Sequence, residues 1–148
     1  MAKDSGYEAL QQLVMGDMEK VFTPAVIDHA NNPRRVGSLS DADGFASMHS
    51  DCGESMEIWL NIKNSRIEDF RFWSDGCGAT VACGSMVGEL ICGKTISQAM
   101  KIRAQDIIKA LKGLPKGNWH CAVLAVKTLK EAVKNYLARQ KVDENKGE

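Results

Sequence analysis

The chain has 148 residues, of which 44% are hydrophobic and 26% are charged, values typical of a globular domain with one core. Its 19 basic and 19 acidic residues give a formal net charge of zero, which argues against the clustered basic surface of a nucleic-acid-binding protein. The sequence has no apolar run that would cross a membrane and no signal-peptide core in residues 1–6. We therefore expect a cytoplasmic protein whose five cysteines are reduced and serve metal or sulfur chemistry.

The N-terminal part of the chain predicts helices. Apolar residues recur at helical spacing within residues 7–21, so we interpret residues 1–21 as an N-terminal helical extension. Thr23 is a suitable N-cap and Pro24 suits the first helical position, which predicts a helix that ends near Ala30. The polar residues that follow, up to Gly44, predict a surface loop.

Three strand signals come next, over residues 45–51, 56–63 and 66–74. In an antiparallel meander, the end of the third strand lies beside the start of the second. Cys52 follows the first strand, and Cys77 follows the third. We therefore predict that the two loops that hold these cysteines meet at one edge of the sheet.

The second half of the chain predicts helices over residues 78–92, 97–100, 104–111 and 119–139. The first of these is rich in small residues, which favours close packing on the sheet, and the last carries one apolar face. The predicted fold class is α+β, with a three-stranded antiparallel meander and about five helices packed on it. We assign this domain to residues 22–140 and expect a disordered tail over residues 141–148.

Five residues in three separate segments have side chains that bind metals: Cys52, Glu54, Cys77, His120 and Cys121. His120 and Cys121 lie at the start of the last helix, where Asn118 is a plausible N-cap and the helix dipole favours a thiolate. Glycines beside Cys52 and Cys77 predict exposed thiols. The chain has no Cys-x-x-Cys pair, so the spacing leaves both a shared metal site and separate cysteines open.

Other reactive and aromatic residues have simpler expected roles. Cys83 and Cys92 lie inside the small-residue helix and are expected to pack in the core, with a sulfur-carrying or alternative cluster role for Cys83 left open. His29 is expected to be at the surface or partly packed, and His49 is expected to be solvated or to cap the chain. We expect the three tryptophans to be packing residues, with shielding of the site as the alternative role of Trp119.

Several motifs occur together in one order. They are Val26-Ile27-Asp28-His29, Asn32-Pro33-Arg34, Val36-Gly37, Cys52-Gly53-Glu54, Gly76-Cys77-Gly78-Ala79, Gly93-Lys94 and His120-Cys121-Ala122-Val123-Leu124-Ala125. With these motifs, about residues 22–139 resemble the IscU/NifU N-terminal family of iron–sulfur cluster assembly scaffolds. The resemblance implies a scaffold rather than a conventional enzyme. Such a scaffold takes persulfide sulfur from a cysteine desulfurase, takes up iron, builds a transient [2Fe–2S] cluster and passes it to apo acceptor proteins.

The resemblance also assigns roles to the candidate site residues. Cys52, Cys77 and Cys121 match the three cluster cysteines of the family, and Cys121 is expected to be the primary persulfide acceptor. His120 matches the neighbouring histidine, and Glu54 stands where the family normally has Asp. The resemblance leaves a homodimer open. The alternative is a zinc-binding regulatory protein, or a persulfide carrier that acts on a cysteine desulfurase, because zinc takes the same ligands.

Overall fold

The structure is a computed structural model that describes the backbone of residues 22–147 and the side chains of residues 22–141. Within these residues the chain forms a three-stranded antiparallel sheet in the order β1-β2-β3, together with five α-helices. The strands are β1 (Gly44–His49), β2 (Ser55–Lys63) and β3 (Arg66–Ser74). The predicted α+β meander is confirmed. The helix predicted within residues 7–21 lies outside the described residues.

The strand register builds one buried face of the sheet. Ile58 of β2 pairs with Ala46 of β1 on one side and with Phe72 of β3 on the other, and all three side chains are buried. Phe45 and Trp59 form a pair with ring centroids 5.2 Å apart, and both are only partly buried. Because successive side chains of a strand point to opposite faces, one face of the sheet forms the core and the other is less covered.

The helices are α1 (Pro24–Asn31), α2 (Gly78–Ile91), α3 (Ile96–Met100), α4 (Ala104–Ala110) and α5 (Trp119–Gly147). Helices α2 and α5 both contact the sheet. Helix α5 continues to Gly147 instead of ending near Arg139, so its backbone includes the segment after residue 140 for which a disordered tail is predicted. The residues between Arg139 and Gly147 contain no proline, and most of them are polar residues that a helix tolerates.

Two local contacts fix how the helices meet the rest of the domain. The Thr23 side chain accepts a hydrogen bond from the Val26 backbone at 3.2 Å, which confirms it as the N-cap of α1, and its hydroxyl donates to the Leu111 carbonyl. A Cβ atom at Gly84 of α2 would lie 2.6 Å from Cε2 of Phe72, closer than real side chains approach. Glycine at this position therefore allows α2 to pack tightly on β3.

Two predictions about this part of the chain need correction. The loop before β1 is not simply a surface loop, because Phe72 exchanges backbone hydrogen bonds of 3.0 Å with Arg35 and Gly37 at the free edge of β3. Trp73 and Trp119 are 43% and 44% exposed, so neither is the buried packing residue that its apolar ring suggests.

Among residues 22–147, we find no helix with the length and hydrophobicity needed to cross a membrane.

Candidate metal centre

The candidate site lies at the edge of the sheet where β1 turns into β2. The turn closes with a backbone hydrogen bond of 2.8 Å from Ser50 to the Glu54 carbonyl, and the Glu54 amide donates to the Ser50 hydroxyl at 3.2 Å. Gly53 has a φ of +87°, a backbone angle that side chains with a Cβ rarely adopt. The turn leaves Cys52 exposed and directs the chain so that Glu54 is partly buried.

The loop after β3 is tied to this turn by side-chain hydrogen bonds. The Ser55 amide donates to Oδ1 of Asp75 at 2.7 Å, and the Ser74 hydroxyl donates to the Ser55 carbonyl at 2.7 Å. These contacts confirm that the Cys52 turn and the Cys77 loop meet at one edge of the sheet, as the order of the strands predicts.

Two helix starts deliver the remaining thiols. Cys77 occupies the N-cap position of α2, and Cys121 is the third residue of α5. The start of α5 is anchored by the Trp119 indole, whose Nε1 donates to the Leu114 carbonyl at 2.8 Å. Asn118 belongs to a short 3₁₀ turn that runs directly into α5, so it does not have the extended conformation typical of the predicted N-cap.

Three of the five predicted ligands come together closely. One oxygen of Glu54 and the sulfur atoms of Cys77 and Cys121 all lie within 4.8 Å of one another. His120 stands beside them, with its Nε2 3.7 Å from Oε2 of Glu54 and 3.6 Å from Sγ of Cys121. Cys52 is not one of the three, and it lines an adjoining cavity of about 260 Å³ together with His120.

Thr80, which is not one of the predicted ligands, lies between Glu54, Cys77 and Cys121. Its hydroxyl oxygen is 3.0 Å from Oε2 of Glu54, 3.2 Å from Sγ of Cys121 and 3.6 Å from Sγ of Cys77. Thr80 is fully buried. The sequence analysis missed this residue, although its position three residues after Cys77, on the first turn of a helix, is a signal that it faces the same site.

The three candidate thiols differ in exposure. Cys52 and Cys77 are exposed, whereas Cys121 is fully buried. Burial raises the pKa of the Cys121 thiol from 9.0 to about 11, although the hydrogen bond from Thr80 favours the thiolate. Burial therefore works against the easy ionisation that the position of Cys121 at a helix start predicts.

The other cysteines and histidines mostly have packing roles. Cys83 is fully buried and its pKa is strongly raised, first by burial, so its predicted place in the core is confirmed. Cys92 is only partly buried, and burial raises its pKa too. His29 is buried rather than at the surface, with its Nδ1 2.7 Å from the Ser85 hydroxyl. His49 is exposed, as expected, and its Nδ1 lies 2.6 Å from the hydroxyl of Ser55.

The geometry suits a borderline or soft metal. Thiolate, imidazole and carboxylate are the ligands of zinc and of iron–sulfur clusters, and two thiols with one carboxylate provide three of the four donors of a tetrahedral site. His120 and Cys52 stand at the rim, where further donors would be needed. One side of the arrangement is buried and the other is open, so a metal there is accessible from solution.

Comparisons with known proteins agree with this chemistry. Residues 21–143 match the family model of the NifU-like N terminal domain. The iron–sulfur cluster assembly scaffold protein IscU 1 of Archaeoglobus fulgidus is 41% identical over 128 residues, which cover 85% of this chain and 84% of that protein. The scaffold protein IscU of Aquifex aeolicus is 41% identical over 122 residues, which cover 80% of this chain and 78% of that protein.

A solved structure shows the same fold. The NifU-like protein (N-terminal) from Brucella abortus superimposes with a TM-score of 0.66 at 18% identity, covering 82% of this chain and 97% of that one. The relatives therefore match in sequence over most of the chain, and the crystal structure matches in architecture. The chain belongs to the family of iron–sulfur cluster assembly scaffold proteins that carry the NifU-like N terminal domain.

Proposed function

We propose that this scaffold protein assembles a transient [2Fe–2S] cluster and hands it to apo acceptor proteins. The proposed ligands of this cargo are Cys52, Glu54, Cys77, His120 and Cys121. The observation that carries the proposal is the convergence of one carboxylate and two thiols within 4.8 Å, from a strand turn and two helix starts. Side chains this far apart in sequence meet in this way only through the fold, and thiolates are the usual ligands of iron–sulfur clusters.

The ligands have different proposed roles according to their exposure. Cys52 and Cys77 are exposed, so they are the thiols that iron and an acceptor protein reach first. Glu54 and Cys121 lie deeper and fix the inner side of the site. A ligand set that mixes exposed and buried donors suits a cluster that must be built, held and released.

Sulfur is proposed to arrive as persulfide from a cysteine desulfurase, with Cys121 as its primary acceptor. The burial of Cys121 sets a condition on this role, since a thiol reacts as the exposed thiolate. The start of α5 must open when the desulfurase docks, or an exposed thiol must receive the sulfur first. Treatment with the desulfurase and cysteine, followed by thiol labelling and peptide mass spectrometry, identifies the cysteine that carries persulfide.

The proposed ligand set is tested by anaerobic reconstitution with ferrous iron, cysteine and a cysteine desulfurase. Visible absorption follows cluster formation, and an apo-ferredoxin reports transfer. Cys52→Ala, Cys77→Ala and Cys121→Ala are compared with the parent protein. Cys92→Ala is the matched control, because Cys92 is partly buried on the far end of α2 and has no part in the site.

We expect a brown, transferable chromophore in the parent protein and in Cys92→Ala, and a weaker one in each of the three site variants. Equal chromophores in the parent and all three site variants would contradict the proposed ligands. The absorption and electron paramagnetic resonance spectra after reduction distinguish a [2Fe–2S] cluster from other cluster types.

As a second candidate function, the protein binds zinc and acts on a cysteine desulfurase, either as its regulator or as a persulfide carrier. The observation that favours it is that the ligands cluster around one point, with His120 3.7 Å from Glu54, which suits one tetrahedral ion. One tightly held zinc per chain and no chromophore under the reconstitution conditions would favour this function over cluster assembly.

The proposed function implies partners, whereas the location is a separate prediction. The proposed partners are a cysteine desulfurase, apo iron–sulfur proteins and a second copy of the chain, for which light scattering before and after reconstitution is the test. One relative, a protein of Eremothecium gossypii that is 34% identical over 137 residues, is named as mitochondrial. The cytoplasmic location expected from the sequence therefore stays a prediction.

A further inference from the structure

We infer that Thr80 is a positioning residue of the cluster-assembly site, whose hydroxyl holds Glu54 and Cys121 together. This inference rests on the proposed function, because it concerns how the proposed ligands are arranged before metal binds. Thr80 itself is not proposed as a ligand.

The first argument is the bonding capacity of a hydroxyl group. A threonine hydroxyl has one proton to donate and two lone pairs that accept. It has three candidate partners, at 3.0 Å (Glu54), 3.2 Å (Cys121) and 3.6 Å (Cys77). Its single proton is placed to donate to Oε2 of Glu54 or to Sγ of Cys121, and either atom of the contact with Cys77 could be the donor. All three of these partners are proposed ligands.

The second argument is burial. Thr80 is fully buried, so water does not compete for its hydroxyl, and its partner Cys121 is also fully buried. Buried polar groups need partners, and a hydrogen bond to a charged group is stronger than a neutral one. Loss of the Thr80 hydroxyl would leave the inner carboxylate oxygen without its donor and free the side chains to separate.

The third argument is the place of Thr80 in the fold. It lies on the first turn of α2, three residues after Cys77, while Glu54 comes from the β1–β2 turn and Cys121 from α5. One side chain on a rigid helix therefore touches ligands from all three segments. Groups that hydrogen-bond to metal ligands fix ligand orientation, and their loss typically lowers metal affinity by about 10–100-fold.

The experiment measures binding of Co²⁺ to the metal-free protein under anaerobic conditions. Thiolate-to-cobalt absorption reports ligation by cysteine, and competition with a chelator gives the dissociation constant. Thr80→Val keeps the shape of the side chain and removes the hydroxyl, whereas Thr80→Ser keeps the hydroxyl. Thr128→Val is the matched control, because Thr128 is also fully buried and its hydroxyl donates to the Leu124 carbonyl within α5.

We expect Thr80→Val to bind Co²⁺ about 10–100-fold more weakly than the parent, while Thr80→Ser and Thr128→Val stay close to it. Thermal unfolding of each metal-free variant shows that the protein is folded. If Thr80→Val does not fold, Thr80→Ala removes the same hydroxyl with less bulk and replaces it in the comparison with Thr80→Ser.

The outcomes separate this inference from the proposed function. Equal or tighter Co²⁺ binding by the hydroxyl-free variant, beside a parent protein that binds through thiolates, overturns the role of Thr80 and leaves the proposed ligands intact. Weak binding by Thr80→Ser as well as Thr80→Val also overturns it, because shape rather than the hydroxyl would then matter. Absence of thiolate-to-cobalt absorption in the parent protein overturns the ligand set and the role of Thr80 together.

Discussion

The buried thiol of Cys121 makes a quantitative prediction about reactivity. Cys121 is fully buried, and its pKa is raised from 9.0 to about 11. We expect this thiol to react with a small disulfide reagent far more slowly in the folded protein than in the same protein unfolded in guanidinium chloride. The comparison uses one residue in two states, so neighbouring sequence effects cancel.

The magnitude follows from two opposing effects. At pH 8, a rise in pKa of about two units lowers the fraction of thiolate about 100-fold. The thiolate of a weaker acid is the better nucleophile, and with a Brønsted coefficient of about 0.45 the rate constant of the thiolate rises roughly eightfold. Ionisation alone therefore predicts a rate about tenfold lower, and the exclusion of the reagent from a buried sulfur lowers it further.

The assay quenches the reaction with acid at intervals and quantifies each modified cysteine by peptide mass spectrometry. The rate at Cys121 should rise about tenfold with each unit of pH from 8 to 10, because the folded thiol is still mostly protonated there. The exposed Cys52 in the same sample reports that the reagent is active. A folded Cys121 that reacts as fast as the unfolded one at pH 8 would refute both the burial and the raised pKa.

Three further predictions concern stability. Gly84→Ala should lower the free energy of unfolding by about 1–3 kcal/mol through its clash with Phe72, measured by urea unfolding, whereas Gly78→Ala on the same helix, where a Cβ would meet its nearest neighbour at 3.4 Å, should change it little. Because folding raises the pKa of Cys121, the protonated thiol contributes fully to the free energy of unfolding below pH 9, and this contribution is lost between pH 9 and 11. Urea midpoints under reducing conditions that do not fall over this range would contradict the raised pKa. Thr23→Ala should cost about 1–2 kcal/mol in the same assay, since it removes the N-cap of α1 and the hydrogen bond to Leu111; no loss would contradict the cap.

The parts of the fold that follow from local pattern are the parts that sequence analysis predicts well. Alternating apolar residues mark β2, and the Thr23-Pro24 pair marks the start of α1. The meeting of the Cys52 and Cys77 loops is also predictable, because antiparallel pairing fixes which strand ends are adjacent. None of these conclusions needs the position of a distant side chain.

The details of the site depend on packing between elements, which local sequence patterns do not determine. The depth of Cys121 depends on how α5 lies on the sheet, and helical periodicity does not show which of two adjacent ligands, His120 or Cys121, faces inward. His29 is buried for the same reason, through a partner, Ser85, that lies 56 residues away. The spacing of Thr80 from Cys77 is a sequence signal, but its contacts with Glu54 and Cys121 appear only when three segments are placed around it.

The division of the site into an inner and an outer half has a consequence for release of the cargo. The inner half consists of Glu54, Thr80 and Cys121, where the Thr80 hydroxyl makes a part-buried contact with Glu54 and a buried one with Cys121. The Cys52 thiol, in contrast, is exposed and lies on the turn between β1 and β2. Ligands on exposed turns exchange more readily, because local opening there disrupts few buried contacts. An acceptor protein is therefore expected to displace the outer thiols first. If the proposed ligands hold the cargo, the last bond to break would be the one to Cys121, whose departure requires movement at the start of α5, where Trp119 is hydrogen-bonded to Leu114.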